Sequence, residues 1–349
     1  MIRKIKIYLF FTKIIKIIDK NYSLKKKSSC KKYYIFAVFI YSGIIHSLTH
    51  SLMYNYLRYF FVLIAIVAIL SIGSCKKEDT LPPLTLTTGL ADSSIVNIDT
   101  AIQLAVNIPV IWKLTQANSG TLTPSAADAK TAIFRTPKTA GVYTLRILNQ
   151  ADTTEKIIRT IVVTPLSGLF NNLRGGGYVL SFRHGLASTG ADQLNSSVPN
   201  WWKSCESTIA RQLDSPAGRT QSEKTGKALK LLKIPIGKAI SSEFCRCLQT
   251  LQLMNLGVNI ETSKFLTYYV YDEANRYANT FNLVKEQVIS KQNTVFSTHV
   301  GFSIVPLNLN RILANLNMGD AAIFKLNPNG AEPTVVQILA SADLTGLIN

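Results

Sequence analysis

Acidic side chains are scarce in this sequence, 20 Asp and Glu against 38 Lys and Arg, and the scarcity is uneven. Residues 1–75 carry 12 of the basic residues and a single acid, Asp19. Beyond Cys75 the balance is 26 basic to 19 acidic, a net of +7, with the charges scattered instead of striped along one face. The formal charge of +18 is therefore mostly a property of the N-terminal quarter, and no nucleic-acid partner is expected. Histidine is scarcer still. There are four in 349 residues, and His46 and His50 lie in that same N-terminal quarter, which leaves His184 and His299 for the rest. Residues 80–165 hold no cluster of His, Cys or paired carboxylates, which excludes the familiar catalytic constellations there. The length suits two domains with leader segments.

What is present begins with the leader. From Met53 the chain reads MYNYLRYFFVLIAIVAILSIGSC. Arg58 supplies a positive n-region, residues 59–70 an apolar h-region, and Ser71-Ile72-Gly73-Ser74 small residues before Cys75. The layout resembles a bacterial lipoprotein signal (53–75), whose cysteine becomes the lipidated first residue, and KKEDTLPP then reads as a polar tether. The rival is a retained transmembrane helix, for which the apolar stretch is short. An internal signal points to Met53 as the true start, so 1–52 reads as an over-extended start or, alternatively, a membrane-associated leader. The expected setting is the cell envelope, with the protein lipid-anchored to a bacterial membrane on its periplasmic or surface face.

Past Cys75 the cysteines are Cys205, Cys245 and Cys247. Export permits a disulfide, and Cys245 and Cys247 are too close to pair with each other comfortably. Cys205 with either of them is one reading; free buried thiols are the other.

Residues 76–165 read as tether plus a small all-β sandwich. Short β-branched or alternating runs at 95–98, 102–106, 110–114, 132–135, 142–148 and 157–163 are separated by Gly, Pro, Asn and Asp clusters. The stretch from Thr139 to Leu145 resembles the late strand of immunoglobulin-like modules, with Trp112 as candidate core tryptophan. Near Pro165 the pattern changes to strands at 177–182, 238–241, 294–297, 321–326 and 334–339, alternating with helical stretches at 215–232, 244–254 and 304–315. This predicts an α/β domain over 166–349 with a mixed, mostly parallel sheet between helical layers.

Three motifs fall at the carboxyl ends of three of these strands: Arg183-His184-Gly185, Glu243-Phe244-Cys245-Arg246 and His299-Val300-Gly301. Ligands of open α/β sheets bind beyond those ends. The set suits phosphoryl transfer. Neutral imidazole is a nucleophile near pH 7, guanidinium forks bind spread negative charge, and a second histidine can donate to an equatorial oxygen. Singly, each motif is more simply read as a structural histidine or a solvated helix cap; the ordered set at strand ends carries the functional reading.

The same residues resemble the histidine phosphatase superfamily, which also contains the phosphoglycerate mutases. The resemblance rests on YVLSFRHG, on Leu213-Asp214-Ser215-Pro216-Ala217-Gly218-Arg219 with Gln221, on Ser241-Ser242-Glu243-Phe244-Cys245-Arg246 and on VFSTHVG, and covers about 170–345. It implies a three-layer α/β domain, His184 as nucleophile, and Arg183, Arg246 and His299 around the phosphoryl group, with no metal or cofactor. Ser188 and Thr189 stand where the family often places a small polar substrate-binding residue. Val300 after His299 departs from the phytase-like branch, in which a histidine-aspartate pair supplies the leaving-group proton. Between Arg246 and His299 the candidate acids are Glu261, Asp272, Glu273 and Glu286. Glu273, beside Asp272, is preferred, against the simpler reading of a solvated surface pair.

The expectation is thus a phosphomonoester hydrolase with a phosphohistidine intermediate, acting on a small phosphorylated substrate. The alternatives are a non-catalytic lipoprotein that binds an anionic ligand, and an adhesin acting through its β-module. Trp201, Trp202, Tyr268, Tyr269 and Tyr271 are candidates for the pocket wall, although aromatic runs usually serve the core.

Overall fold

A computed structural model describes residues 82–299 and 316–348. The expected leader (1–52), signal (53–75) with Cys75, and helical stretch (304–315) lie outside the described residues. Among the described residues no helix is long and apolar enough to cross a membrane.

The first eight strands form two four-stranded sheets. One is ordered β1 (Leu86–Thr88), β3 (Ala101–Val106), β6 (Thr131–Arg135), β5 (Thr121–Pro124). The other is ordered β2 (Ser94–Val96), β8 (Lys156–Val163), β7 (Gly141–Asn149), β4 (Val110–Leu114). Period-two alternation sets which side chains point inward, as in β6, where Ala132 and Phe134 are buried and their neighbours exposed. Leu104 and Phe134 from one sheet, with Trp112, Leu145 and Ile161 from the other, belong to one apolar core. β1 and β5 went unpredicted because they are short and mostly exposed, so no apolar period marks them.

Helix α1 (Ser167–Arg174) follows β8. A six-stranded sheet follows. Its strands in chain order are β9 (Tyr178–Arg183), β10 (Ile236–Ser241), β11 (Ile260–Thr262), β12 (Asn293–Thr298), β13 (Ala321–Lys325) and β14 (Thr334–Leu339). Their spatial order is β11-β10-β12-β9-β13-β14. The first four pair in parallel and the last two antiparallel, a mixed sheet as expected. The central strands β9 and β12 are buried on both faces, which is why they read as continuous runs without alternation.

Each face of that sheet has its own apolar cover. Leu180, Phe182, Val295 and Ile323 cluster with residues of α1, α2 (Ala217–Leu231), α3 (Cys245–Met254) and α5 (Ser341–Thr345). Val179, Ile240, Phe296 and Phe324 cluster with α4 (Arg276–Lys285) and the 264–268 segment. α4 escaped prediction because its buried stripe, Tyr277, Thr280, Leu283 and Val284, includes a polar residue that weakens the helical period. Ile95 and Val162 of the β-module enter the same cluster as Phe170 and Leu173 of α1. Arg174 at the end of α1 donates to Ser93 O and to Leu232 O, both at 2.8 Å.

Phe134 is fully buried. Phe134→Ala is expected to lower the stability of the full chain by about 3–5 kcal/mol, read as a shift of the urea midpoint of the β-module.

Candidate active site

The register of three parallel strands builds the site. β12 pairs with both neighbours, Ser297 opposite Phe182 of β9 and opposite Ser241 of β10. The ladders run one step past the strands: His184 N–H donates to Thr298 O at 3.0 Å and Ser242 N–H to Ser297 O at 2.8 Å. His184, Ser242 and His299, each the first residue beyond its strand, therefore share one sheet edge. The two imidazole centroids are 5.5 Å apart.

The hydrogen bonds of His184 decide its tautomer. Its Nδ1 lies 2.8 Å from Gly185 O, and a carbonyl can only accept, so the proton sits on Nδ1 and Nε2 carries the lone pair. Burial, then the Arg246 charge, push its pKa from 6.5 down to about 3, so the ring is neutral at physiological pH. A neutral imidazole with a free Nε2 is a nucleophile. Gly185 is required by packing, since a Cβ there would lie 2.7 Å from Ser222 Oγ and 3.1 Å from Gly218 O. Gly218 allows the reciprocal approach, because its Cβ would meet Leu186 O at 2.0 Å.

His299 is fixed in the same way. Arg246 Nη2 lies 3.3 Å from its Nδ1, and since arginine only donates, Nδ1 accepts and Nε2–H donates to Ser242 Oγ at 2.9 Å. Burial and the Arg246 charge hold the His299 pKa well below 6.5. Arg246, on the first turn of α3, stacks over Phe244 at 4.3 Å and is buried. Its Nη1 and Nη2 grip both carboxylate oxygens of Asp192, at 2.9 and 3.0 Å.

Two further arginines face this centre. Arg183 donates from Nη1 to Leu316 O at 2.9 Å. Arg211, which the sequence reading passed over, accepts from Arg246 Nη1 through its carbonyl at 3.2 Å, and its charge depresses both His184 and Arg183. The Nε–H groups of Arg183, Arg211 and Arg246 are all buried without a hydrogen-bond partner among the described residues. Buried donors are rarely left unpaired, and the charges of these three arginines all act on His184.

Ser188 and Thr189 are occupied elsewhere. Their amides and hydroxyls donate to Asp214 at 2.6–2.9 Å, so they brace the loop after β9 and present no free hydroxyl to a ligand. Burial works to raise the Asp214 pKa, but these hydrogen bonds win and hold it below the usual carboxylate range. The same loop is pinned by a disulfide between Cys205 and Cys245, the residue preceding Arg246. This fulfils one of the two pairings open in sequence. Cys247 remains a buried thiol 3.5 Å from His299 Nε2, its pKa pushed up to about 12 by burial.

The candidate acids are dispersed. Glu273 forms an ion pair with Arg276 and accepts Tyr269 N–H at 2.6 Å. Tyr269 holds a left-handed backbone, φ 70°, and its ring centroid is 6.3 Å from that of His299. Asp272 accepts from Asn275 and Asn279, and Glu261 pairs with Lys238. Of the candidate aromatics, Trp201 and Tyr268 are buried. Trp202 and Tyr271 both donate to Glu243, at 2.9 and 2.5 Å, and Tyr269 alone stands half-exposed beside His299. Arg211 was foreshadowed only by lying two residues before the Leu213-Asp214 motif; Asp192 had no local signal, being an isolated acid in a polar loop.

No family model matches the chain, and no curated protein matches it. Several solved phosphatase structures are similar to about half of it. The protein histidine phosphatase SixA, complexed with tungstate, is 21% identical, covering 48% of this chain and 99% of its own, with a TM-score of 0.32. A putative alpha-ribazole-5'-P phosphatase from Escherichia coli is 13% identical, covering 47% and 97%, with a TM-score of 0.32. A phosphoserine phosphatase from Entamoeba histolytica is 12% identical, covering 48% and 98%, also at 0.32. At these scores the chemistry has to be read from the site itself.

Both histidines resist protonation when folded, His184 until about pH 3, whereas unfolded imidazoles take up protons below about 6.5. The unfolded state then binds more protons, so stability should fall as pH drops from 6.5 towards 3. Urea unfolding at several pH values should show a shallower slope in this window for His184→Asn than for the unsubstituted protein.

Proposed function

We propose that the protein is a phosphomonoester hydrolase working through a phosphohistidine on His184. The observation that carries this reading is the set of three buried, unpartnered guanidinium Nε–H groups around a neutral histidine whose Nε2 is free. A phosphoryl group supplies what that arrangement lacks, several negatively charged oxygens around one electrophilic atom.

In this reading His184 Nε2 attacks phosphorus in line as the ester P–O bond breaks. Arg183, Arg211 and Arg246 receive the equatorial oxygens, and their burial strengthens each contact as charge redistributes. His299 stands beside the same oxygens and orients Arg246. Water then attacks phosphorus, breaking the P–N bond and releasing inorganic phosphate with His184 restored. The leaving oxygen takes a proton, which we assign to Glu273 in its protonated form, and the attacking water returns a proton to that carboxylate. Of Glu261, Asp272, Glu273 and Glu286, it is the one bonded to Tyr269, the aromatic residue half-exposed beside His299.

We further read the protein as exported and lipid-anchored through Cys75, with the β-module an immunoglobulin-like spacer between anchor and enzyme. The signal pattern at 53–75 supports this, and so does a disulfide of the kind that persists in oxidising compartments.

Turnover of p-nitrophenyl phosphate by the full-length protein tests the activity. His184→Ala should remove it, together with the acid-labile phosphoprotein trapped by rapid quenching; unchanged turnover would refute the mechanism. Glu273→Gln should slow hydrolysis of an alkyl phosphate by roughly 10²- to 10⁴-fold while sparing p-nitrophenyl phosphate, whose leaving group needs no proton.

A further inference from the structure

Asp192 has no place in the mechanism just derived, yet it is the carboxylate bonded to the site. We propose that Asp192 is a positioning residue that holds Arg246 so that its Nε–H is left for the phosphoryl group. This rests on the phosphomonoesterase reading above, and deepens it.

A guanidinium has two edges able to grip a pair of oxygens: the terminal one, Nη1 with Nη2, and the lateral one, Nε with Nη2. Asp192 takes the terminal edge with both oxygens, at 2.9 and 3.0 Å. The remaining Nη1 donor goes to Arg211 O at 3.2 Å, and Nη2 also reaches His299 Nδ1 at 3.3 Å. What is left is the Nε–H, buried and without a partner among the described residues. The carboxylate therefore fixes which donor is left as well as where the charge lies. Asp192 Oδ1 also accepts Arg211 N–H at 2.9 Å. One carboxylate thus closes a ring through Arg246 and Arg211 and orders two of the three arginines.

A bland alternative exists, in which Asp192 serves only as a counter-charge to a buried guanidinium. The two roles predict opposite signs. Removing a mere counter-charge makes the pocket more positive, so phosphate should bind more tightly. Removing a positioning group frees the guanidinium to rotate, so phosphate should bind more weakly although the pocket has gained charge.

The test uses the full-length protein, with inorganic phosphate measured by calorimetry and p-nitrophenyl phosphate by turnover. Asp192→Asn keeps the shape but sets an amide N–H₂ against the guanidinium, which breaks the two-point grip. It should weaken phosphate about tenfold and lower kcat on the order of 100-fold, the scale of losing one preorganised donor. Asp192→Ala should regain turnover when acetate is added, since acetate can refill the terminal edge, and a purely structural loss would not respond. If Asp192→Asn does not fold to the native near-ultraviolet spectrum, Asp192→Glu gives the same comparison and should show a smaller loss. Unchanged or tighter phosphate binding in these variants would overturn the proposal. Absence of turnover in the unsubstituted protein would instead sink the hydrolase reading, and Asp192 would still be judged on phosphate affinity.

Discussion

The register of β12 against β9 and β10 is the constraint on which the site depends. Parallel pairing places Arg183 opposite Thr298, so the next residues, His184 and His299, emerge side by side, with Ser242 just beyond the neighbouring strand. A slip of one residue in either ladder would turn a histidine to the opposite face of the sheet. The register is held by burial on both faces, with Leu180, Phe182 and Val295 in one apolar cluster and Val179, Ile240 and Phe296 in the other. The geometry of the candidate site is in this sense a by-product of core packing.

On that edge the protein concentrates positive charge where charge is costly. Arg183, Arg211 and Arg246 converge on two neutral histidines, with Asp192 and Asp320 the nearby acids whose contacts or charge act on them. The arginines help keep the imidazoles neutral, and their unpaired Nε–H groups stay buried. An uncompensated buried donor has a free-energy cost that a bound anion relieves. Three elements hold these side chains: α3 sets Arg246, the Asp214 hydrogen bonds set the loop after β9, and the Cys205–Cys245 disulfide ties that loop to the start of α3. Electrostatic preorganisation of this kind is bought by packing elsewhere in the domain.

The β-module contributes to the fold through Ile95 and Val162, which share a core with α1, and through the Arg174 bonds to Ser93 and Leu232. These contacts reach the outer helical layer.

Much of this was legible in the chain itself, for local reasons. Strand ends followed by Arg183-His184-Gly185 and by His299 mark the site because chemistry at a sheet edge needs a side chain immediately beyond a buried strand, and buried strands announce themselves as apolar runs. The change of pattern near residue 165 separated the all-β part from the α/β part. Other features needed the folded molecule. Ser188 and Thr189 look free in sequence, and only the return of Asp214 across the loop shows them to be braces. Arg211 and Asp192 lie 35 and 54 residues from Arg246, and no periodicity connects them to it. Which cysteine pairs with Cys205 depended on the side of α3 that each one occupies. The sequence by itself determined the chemical inventory and its place on the strands, because those follow from local burial. Partner choice among charged side chains was decided only by tertiary structure, because hydrogen-bond geometry is set by positions that distant segments reach together.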